Sequence, residues 1–306
     1  MKNSFRGAIM GLACADALGS AVEFMARGTF PLLTEFKDGG PFNLPKGTWT
    51  DDTSMALCLA DSLIECKGFE ARDNLERYCR WFRNGYLSAT GKCFDIGTGT
   101  RRALNRFERT GETECDDPSS GGNGSIMRLA PVPLAYWSNP EKAIHFAALS
   151  SKTTHGATEA TDACRLLAAL IVGALQGREK AELLSAGFCP VPGLWERESL
   201  HSKIAAIASG SYKIKTRDEI KSSGYCVDTL EAALWAFFTT DTFEAGAIAA
   251  VNLGEDTDSI GAVYGQIAGA FYGYDAIPVR WRENLVKKEL VLDFADRLLS
   301  LSETIQ

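Results

Sequence analysis

The stretch GEDTDSIGAVYGQIAGAFYG, Gly254 to Gly273, decides how the chain folds. Glycines recur at 261, 265, 269 and 273, every fourth residue of an apolar run that reads as a helix over 259–272. A spacing of four places them on one helical face. Glycine inside a helix costs up to about 1 kcal/mol relative to alanine, so such a row needs a packing reason. A face without side chains permits very close approach of a second helix. Near the N-terminus Gly7, Gly11, Ala15 and Gly19 repeat the pattern. Packed antiparallel, the two faces would bring Asp16 and Glu23 beside Asp256 and Asp258. The alternative is that each face packs on some other helix, because a smooth face does not name its partner.

Helical periodicity continues outward from these two segments. Helices are predicted at 5–18, 53–65, 74–86, 98–107, 141–149, 157–175, 199–208, 229–238, 242–252 and 281–300. Alternating strand patterns are scarce, and no period of roughly 20–50 residues repeats. Residues 30–48, 110–125 and 187–196 are rich in Gly, Pro or small polar residues and read as loops rather than linkers. The expectation is an all-α, compact single-domain helical bundle over 1–306, long enough to bury a large core.

Composition narrows the function. Hydrophobic residues make up 45% and charged residues 23%, ordinary values for a globular chain. A net charge of -7 argues against a general nucleic-acid or anionic-membrane partner, which would need a basic footprint. The nine cysteines are odd in number, scattered and without CxxC, which predicts reduced thiols and a cytoplasmic setting. Three histidines and no HExxH argue against a histidine-rich zinc site. No signal peptide is expected, since Asp16 breaks the apolar N-terminal run, and no stretch of roughly 18 uncharged apolar residues suggests a membrane span.

Two acidic-hydroxyl clusters stand at the entry to apolar helices: Thr50-Asp51-Asp52-Thr53 and Asp256-Thr257-Asp258-Ser259. Either alone reads as a helix cap. Together they concentrate more charge than capping requires. Carboxylates mixed with hydroxyls are hard oxygen ligands, suited to Mg²⁺, Mn²⁺ or Ca²⁺ rather than zinc. Two such clusters could hold two ions with a shared carboxylate. A third feature, Ser119-Ser120-Gly121-Gly122-Asn123-Gly124-Ser125, runs into Ile126-Met127-Arg128. Its glycines would let backbone N–H groups face a phosphate, the alternative being an ordinary turn. It lacks the GK[ST] of a Walker A loop. Gly97-Thr98-Gly99-Thr100-Arg101-Arg102 is not a full GxGxxG and follows no strand pattern.

Six segments in their order resemble the ADP-ribosylglycohydrolase family along nearly the whole chain: GLACADALGSAVEF from Gly11, GTWTDDTSMAL from Gly47, GKCFDIG from Gly91, GGNGSIMRLAP from Gly121, TTHG from Thr153 and GEDTDSIGAVYGQIAGA from Gly254. The FDIG element is most similar to the bacterial branch that removes ADP-ribose from arginine, which includes the dinitrogenase-reductase-activating glycohydrolases. The resemblance implies an all-α fold of the ADP-ribosylglycohydrolase type with a dinuclear Mg²⁺ or Mn²⁺ centre. It implies Thr50, Asp51, Asp52, Asp256, Asp258 and Ser259 as metal ligands, with Asp258 as the bridge. It places Glu23 beside the metals and Asp95 at the scissile bond, so that Asp51, Asp95 and Glu23 are the catalytic candidates. Gly122, Asn123, Gly124, Ser125, Met127 and His155 match the part that holds ADP-ribose. Two departures are visible: Ser259 where the family usually has threonine, and Ala15 where it has glycine. Both keep the chemistry, a hydroxyl in one case and a small residue in the other. The implied reaction is hydrolysis of the glycosidic bond of an ADP-ribosylated protein, arginine-linked first among the options, releasing ADP-ribose. The alternatives are another ADP-ribose linkage, hydrolysis of the pyrophosphate, or a non-catalytic protein that binds ADP-ribose or blocks a transferase.

Overall fold

The computed structural model describes residues 1–305. Its helices are α1 (Lys2–Gly19), α2 (Asp51–Cys66), α3 (Ala71–Asn84), α4 (Thr98–Thr110), α5 (Pro131–Ala135), α6 (Pro140–Lys152), α7 (Thr158–Leu175) and α8 (Lys180–Leu183). They continue with α9 (Leu194–Arg197), α10 (Ser202–Ala208), α11 (Cys226–Thr239), α12 (Phe243–Val251), α13 (Thr257–Tyr272), α14 (Val279–Asn284) and α15 (Lys288–Ser302). Among the described residues extended pairing is limited to two isolated bridges, Gly39 with Leu44 and Gly122 with Tyr225. The fold is all-α, as the periodicity predicts.

The glycine rows meet. A Cβ added to Gly7 would lie 2.1 Å from Gly269 O, one on Gly11 2.5 Å from Gly265 O, and one on Gly261 2.5 Å from Ala15 O. The register descends on one helix as it rises on the other, so α1 and α13 are antiparallel and in backbone-to-backbone contact. Around this pair α15 packs on α1, while α7, α11 and α12 pack on α13. One apolar cluster runs through all of them and buries Trp49, Trp81 and Trp281. Segment Lys2–Val22 is long and apolar enough to cross a membrane, but 89% of its window is buried inside the protein, as expected of a core helix.

Gln266 of α13 fixes the glycine loop to the central pair. Its side chain is fully buried, donates to Met127 O at 2.7 Å and accepts from Ala130 N at 2.7 Å. Buried backbone groups need such partners, so this amide sets the height of residues 126–130 on the pair.

One predicted helix is two. Residues 281–300 are interrupted between α14 and α15, where Lys287 is left-handed at φ 55°. Val286 N donates to Gly47 O at 2.9 Å and Val286 O accepts from Trp49 Nε1 at 2.8 Å. Both backbone groups of Val286 therefore serve the loop that leads into Thr50, a long-range demand that local periodicity does not register. The short helices α5, α8 and α9 also escape the periodic reading, the last at the end of the predicted loop 187–196.

Candidate active site

The end of α1 meets the start of α13 at one head of the helix pair. A Cβ on Gly19 would fall 2.5 Å from Thr257 O and from Asp258 N, and Thr257 Oγ1 donates to Gly19 O at 2.9 Å. A single turn, Ser20–Val22, then delivers Glu23 alongside Asp258. Beyond it Phe24 and Glu255 are both left-handed, at φ 64° and 61°, although neither is glycine. That conformation costs roughly 1–2 kcal/mol for each. A reciprocal clasp holds it: Phe24 N donates to Glu255 O and Glu255 N to Met25 O, each at 2.7 Å. Arg27 tightens the clasp by donating to Leu253 O at 2.7 Å and to Ile220 O at 2.5 Å.

Asp16 organises the first acidic cluster from outside. Thr50 is the residue before α2 and makes no side-chain cap. Instead Asp16 accepts from Thr50 N at 2.9 Å, from Thr53 N at 3.1 Å and from Thr53 Oγ1 at 2.5 Å. This leaves Asp51 and Asp52 free of capping duty. Thr50 Oγ1 donates to Asp52 at 3.1 Å and to Asp258 at 3.2 Å, so the two clusters touch. In the second cluster Asp256 accepts from Asn123 Nδ2 at 2.8 Å. Asp95 does not cap α4, whose preceding residue is Gly97 with no side-chain cap. Its carboxylate turns inward, within 4.8 Å of those of Glu23 and Asp258.

This concentration of carboxylates has one electrostatic consequence. Burial first, then the charges of Asp95 and Asp256, push Glu23 up to about 10. Burial and the same crowd raise Asp51, Asp52 and Asp258 well above the usual carboxylate range, while burial alone raises Asp256 against the hydrogen bond from Asn123. Asp95 is pushed up to about 6 and Asp16 to about 7, burial again being the main cause. Glu23 Oε2, Asp52 Oδ1 and Asp258 Oδ1 are buried with no hydrogen-bond partner. Among the described residues no lysine or arginine lines the cavity that Glu23 and Asp258 face. Buried carboxylates without partners demand a counter-charge. The oxygen-only donor set fits a hard divalent cation.

The cavity holds about 250 Å³ and is lined by Glu23, Phe24, Asp51, Asp95, Asp256, Asp258 and Ser259 on its acidic side. Gly97 to Thr100, Gly122 to Gly124, Met127 and His155 complete its wall. A second cavity of about 340 Å³ shares Thr98, Gly99, Gly122 and His155 with the first and adds Arg102, Arg106 and Ser120. Of the residues singled out in the sequence, Thr50 and Asp52 lie behind Asp258 rather than on the cavity wall. Ser125 is buried off the wall, where it accepts from Ser151 Oγ at 2.9 Å. Asn123 reaches the wall, but its amide is engaged by Asp256 and Thr229.

The glycine loop also makes room for the histidine beside it. Gly122 takes φ -63°, and neither Gly121 nor Gly124 is left-handed. A Cβ on Gly124 would instead sit 2.7 Å from the His155 ring. Glycine is required there to make room for the imidazole. Sequence reasoning also missed the part played by three residues. Asp16 carried no sign of which backbone it serves, Thr154 hydrogen-bonds His155, and Phe24 lines the mouth at 66% exposure.

The raised carboxyls give a pH dependence with a definite sign. In the unfolded chain they titrate near about 4, while in the folded, cation-free protein they hold their protons to higher pH. The folded state therefore binds more protons across that window, and stability falls as pH rises through about 6 for Asp95 and about 7 for Asp16. In chelator, the melting temperature should drop by about 5 °C or more between about pH 5.5 and about pH 8. Added Mg²⁺ or Mn²⁺ should flatten the drop. A chelated protein whose melting temperature is level or rises over that range contradicts the electrostatics described.

A family model described as ADP-ribosylglycohydrolase matches residues 1–306. The chain is 41% identical over 295 residues, 96% of its length and 77% of the other, to a Pseudomonas putida protein named ADP-ribosylarginine hydrolase Tri1. It is 31% identical over 310 residues to the ADP-ribosyl-[dinitrogen reductase] glycohydrolase of Rhodospirillum rubrum, covering 97% of this chain and 95% of that one. A solved structure described as an ADP-ribosylglycohydrolase-related protein complex superposes with a TM-score of 0.86 at 43% identity, covering 98% of both chains.

Proposed function

Because the chain belongs to the ADP-ribosylglycohydrolase family, we propose that it hydrolyses the bond between ribose C1 and an arginine nitrogen of an ADP-ribosylated protein. One observation carries the reading: a single cavity joins a wall of buried, unpaired carboxylates to a wall of glycines and His155 that bears no negative charge. The first suits a sugar that becomes positive as its bond breaks, the second an anionic diphosphate.

In this reading Thr50, Asp51, Asp52, Asp256, Asp258 and Ser259 would hold two divalent cations, Mg²⁺ or Mn²⁺, with Asp258 shared between them. Bound there, the cations would supply the positive charge that fixes the ribose hydroxyls. Glu23, Asp51 and Asp95 act on the reacting bond. The glycosidic electron pair leaves with the arginine nitrogen, and the developing charge at C1 is stabilised by the facing carboxylates. Water adds its oxygen to C1 and its proton ends on the arginine nitrogen, giving ADP-ribose and unmodified arginine. Gly122, Asn123, Gly124, Ser125, Met127 and His155 form the ADP-ribose side. The whole chain acts as one domain in this reading, in keeping with the apolar cluster that runs from α1 to α15. A reducing cytoplasm suits the nine cysteines, all of which are free.

Asp95 distinguishes arginine from other linkages. A carboxylate makes paired, charge-assisted hydrogen bonds to a guanidinium and has nothing comparable to offer a serine ether. Asp95→Asn should lower turnover of arginine-linked ADP-ribose by about 10²-fold or more, with affinity for free ADP-ribose little changed. The wild-type protein should prefer arginine-linked over serine-linked conjugates by a wide margin. Equal hydrolysis of both, or a fully active Asp95→Asn, contradicts the arginine assignment.

A further inference from the structure

Arg128 is fully buried and, among the described residues, has no carboxylate partner. Its guanidinium stacks 4.5 Å from the Tyr78 ring centroid and donates to Gly124 O at 2.7 Å. A second nitrogen donates to Thr154 Oγ1 at 2.7 Å and, more weakly, to Thr153 Oγ1 at 3.4 Å. Guanidinium has donors only, so the Thr154 oxygen must accept from it. The one hydroxyl hydrogen of Thr154 is then free for its other neighbour, His155 Nδ1, at 2.7 Å. Thr154 is fully buried and no other acceptor for that hydrogen lies among the described residues, so donation to Nδ1 is the arrangement that leaves it paired, and an accepting Nδ1 carries no proton of its own. Burial and the nearby charge of Arg128 push His155 down to about 3, so the ring is neutral around pH 7. A neutral ring with an accepting Nδ1 carries its proton on Nε2.

That nitrogen faces the place where the two cavities join. His155 lines both, and Nε2 has no hydrogen-bond partner among the described residues. Glycines surround it: added Cβ atoms would lie 3.2 Å from Nε2 at Gly99, 3.4 Å at Gly122 and 3.1 Å at Gly124. An oxygen reaching this junction meets an N–H donor with its direction fixed, backed by a buried cation that no carboxylate neutralises. An anionic oxygen gains most from that combination.

We propose that Arg128 and Thr154 are positioning residues that hold His155 as an Nε2–H donor to a diphosphate oxygen of bound ADP-ribose. The proposal rests on the reading that this cavity takes ADP-ribose. Arg128 acts at one remove. Its N–H donates to the Thr154 oxygen, which turns the hydroxyl hydrogen away from it toward His155 and thereby selects the imidazole tautomer.

The test is the nitrogen spectrum of the imidazoles in the full chain with Mg²⁺ present, where only three histidines contribute. The wild-type His155 ring should show a protonated Nε2 and an unprotonated Nδ1 from about pH 5 to about pH 8. Thr154→Val keeps the shape and removes the hydroxyl, and should release the ring to a mixture of tautomers. By calorimetry its affinity for ADP-ribose should fall about tenfold, with kcat for arginine-linked substrate little changed and KM raised in parallel. Thr154→Ser restores the hydroxyl and should restore both. A wild-type ring protonated on Nδ1 overturns the proposal, and that spectrum decides even where Thr154→Val does not fold. A folded Thr154→Val with unchanged tautomer and unchanged ADP-ribose affinity overturns it equally. A wild-type protein that binds ADP-ribose but leaves arginine conjugates intact would defeat the functional reading while the relay stands.

Discussion

Asp258→Asn should abolish turnover, by on the order of a thousandfold, while making the cation-free protein more stable rather than less. The opposite signs follow from the surroundings of one side chain. Asp258 is buried in the first turn of α13, its Oδ1 has no partner, and the carboxylates of Glu23 and Asp95 lie within 4.8 Å. Without a cation the amide spares the fold the cost of burying that charge or of holding its proton above the usual carboxylate range, and the chelated variant should melt above the chelated wild type. With cations present the order should invert, because the variant lacks the carboxylate proposed to be shared between the two ions. The checks are melting curves of both proteins with chelator and with Mn²⁺, alongside turnover of ADP-ribosyl-arginine. A variant that keeps the full cation-induced rise in melting temperature and near-normal turnover defeats the bridging role of Asp258.

Gly265→Ala should destabilise the protein by about 3 kcal/mol or more, at the upper end of what overpacking causes. Helix propensity alone gives the opposite sign, since alanine in place of a helical glycine stabilises by up to about 1 kcal/mol. The new Cβ would stand 2.2 Å from Gly11 O and 2.5 Å from Gly11 C, both backbone atoms that cannot rotate away. Relief requires α1 and α13 to separate along their contact. The same movement would carry Asp258 away from Glu23, so activity should fall further than the unfolded fraction explains. Denaturant unfolding and the activity per folded molecule test both halves. A variant as stable as the wild type would mean that the glycine rows are not the reason the two helices approach so closely.

The small-residue faces of α1 and α13 were readable in advance because their cause is local and repeated, one spacing in two segments, whereas their pairing was one of two readings that the sequence left open. The clusters Thr50–Asp52 and Asp256–Ser259 were readable because adjacent carboxylates at a helix entry exceed what a cap needs. What joins them was not. The clasp that holds the segment after Glu23 against the segment before Asp258 runs through left-handed Phe24 and Glu255, and no pattern announces that conformation in residues other than glycine. Asp16 looks like one more acid of the site until Thr50 and Thr53 are seen donating to it. The break between α14 and α15 answers to Gly47 and Trp49, more than two hundred residues away in sequence. His155 was noticed, but its orientation depends on Arg128, which sits in a different motif. In each case the deciding contact joins positions whose proximity exists only after folding.

The most direct test of the central claim is the product released from ADP-ribosyl-arginine, identified by mass, with metals removed and then restored. Chelated protein should release nothing, and addition of Mn²⁺ or Mg²⁺ should restore release of intact ADP-ribose together with unmodified arginine. Release of AMP instead would show that the cavity attacks the pyrophosphate, and undiminished release of ADP-ribose in chelator would show that the buried carboxylates work without a cation.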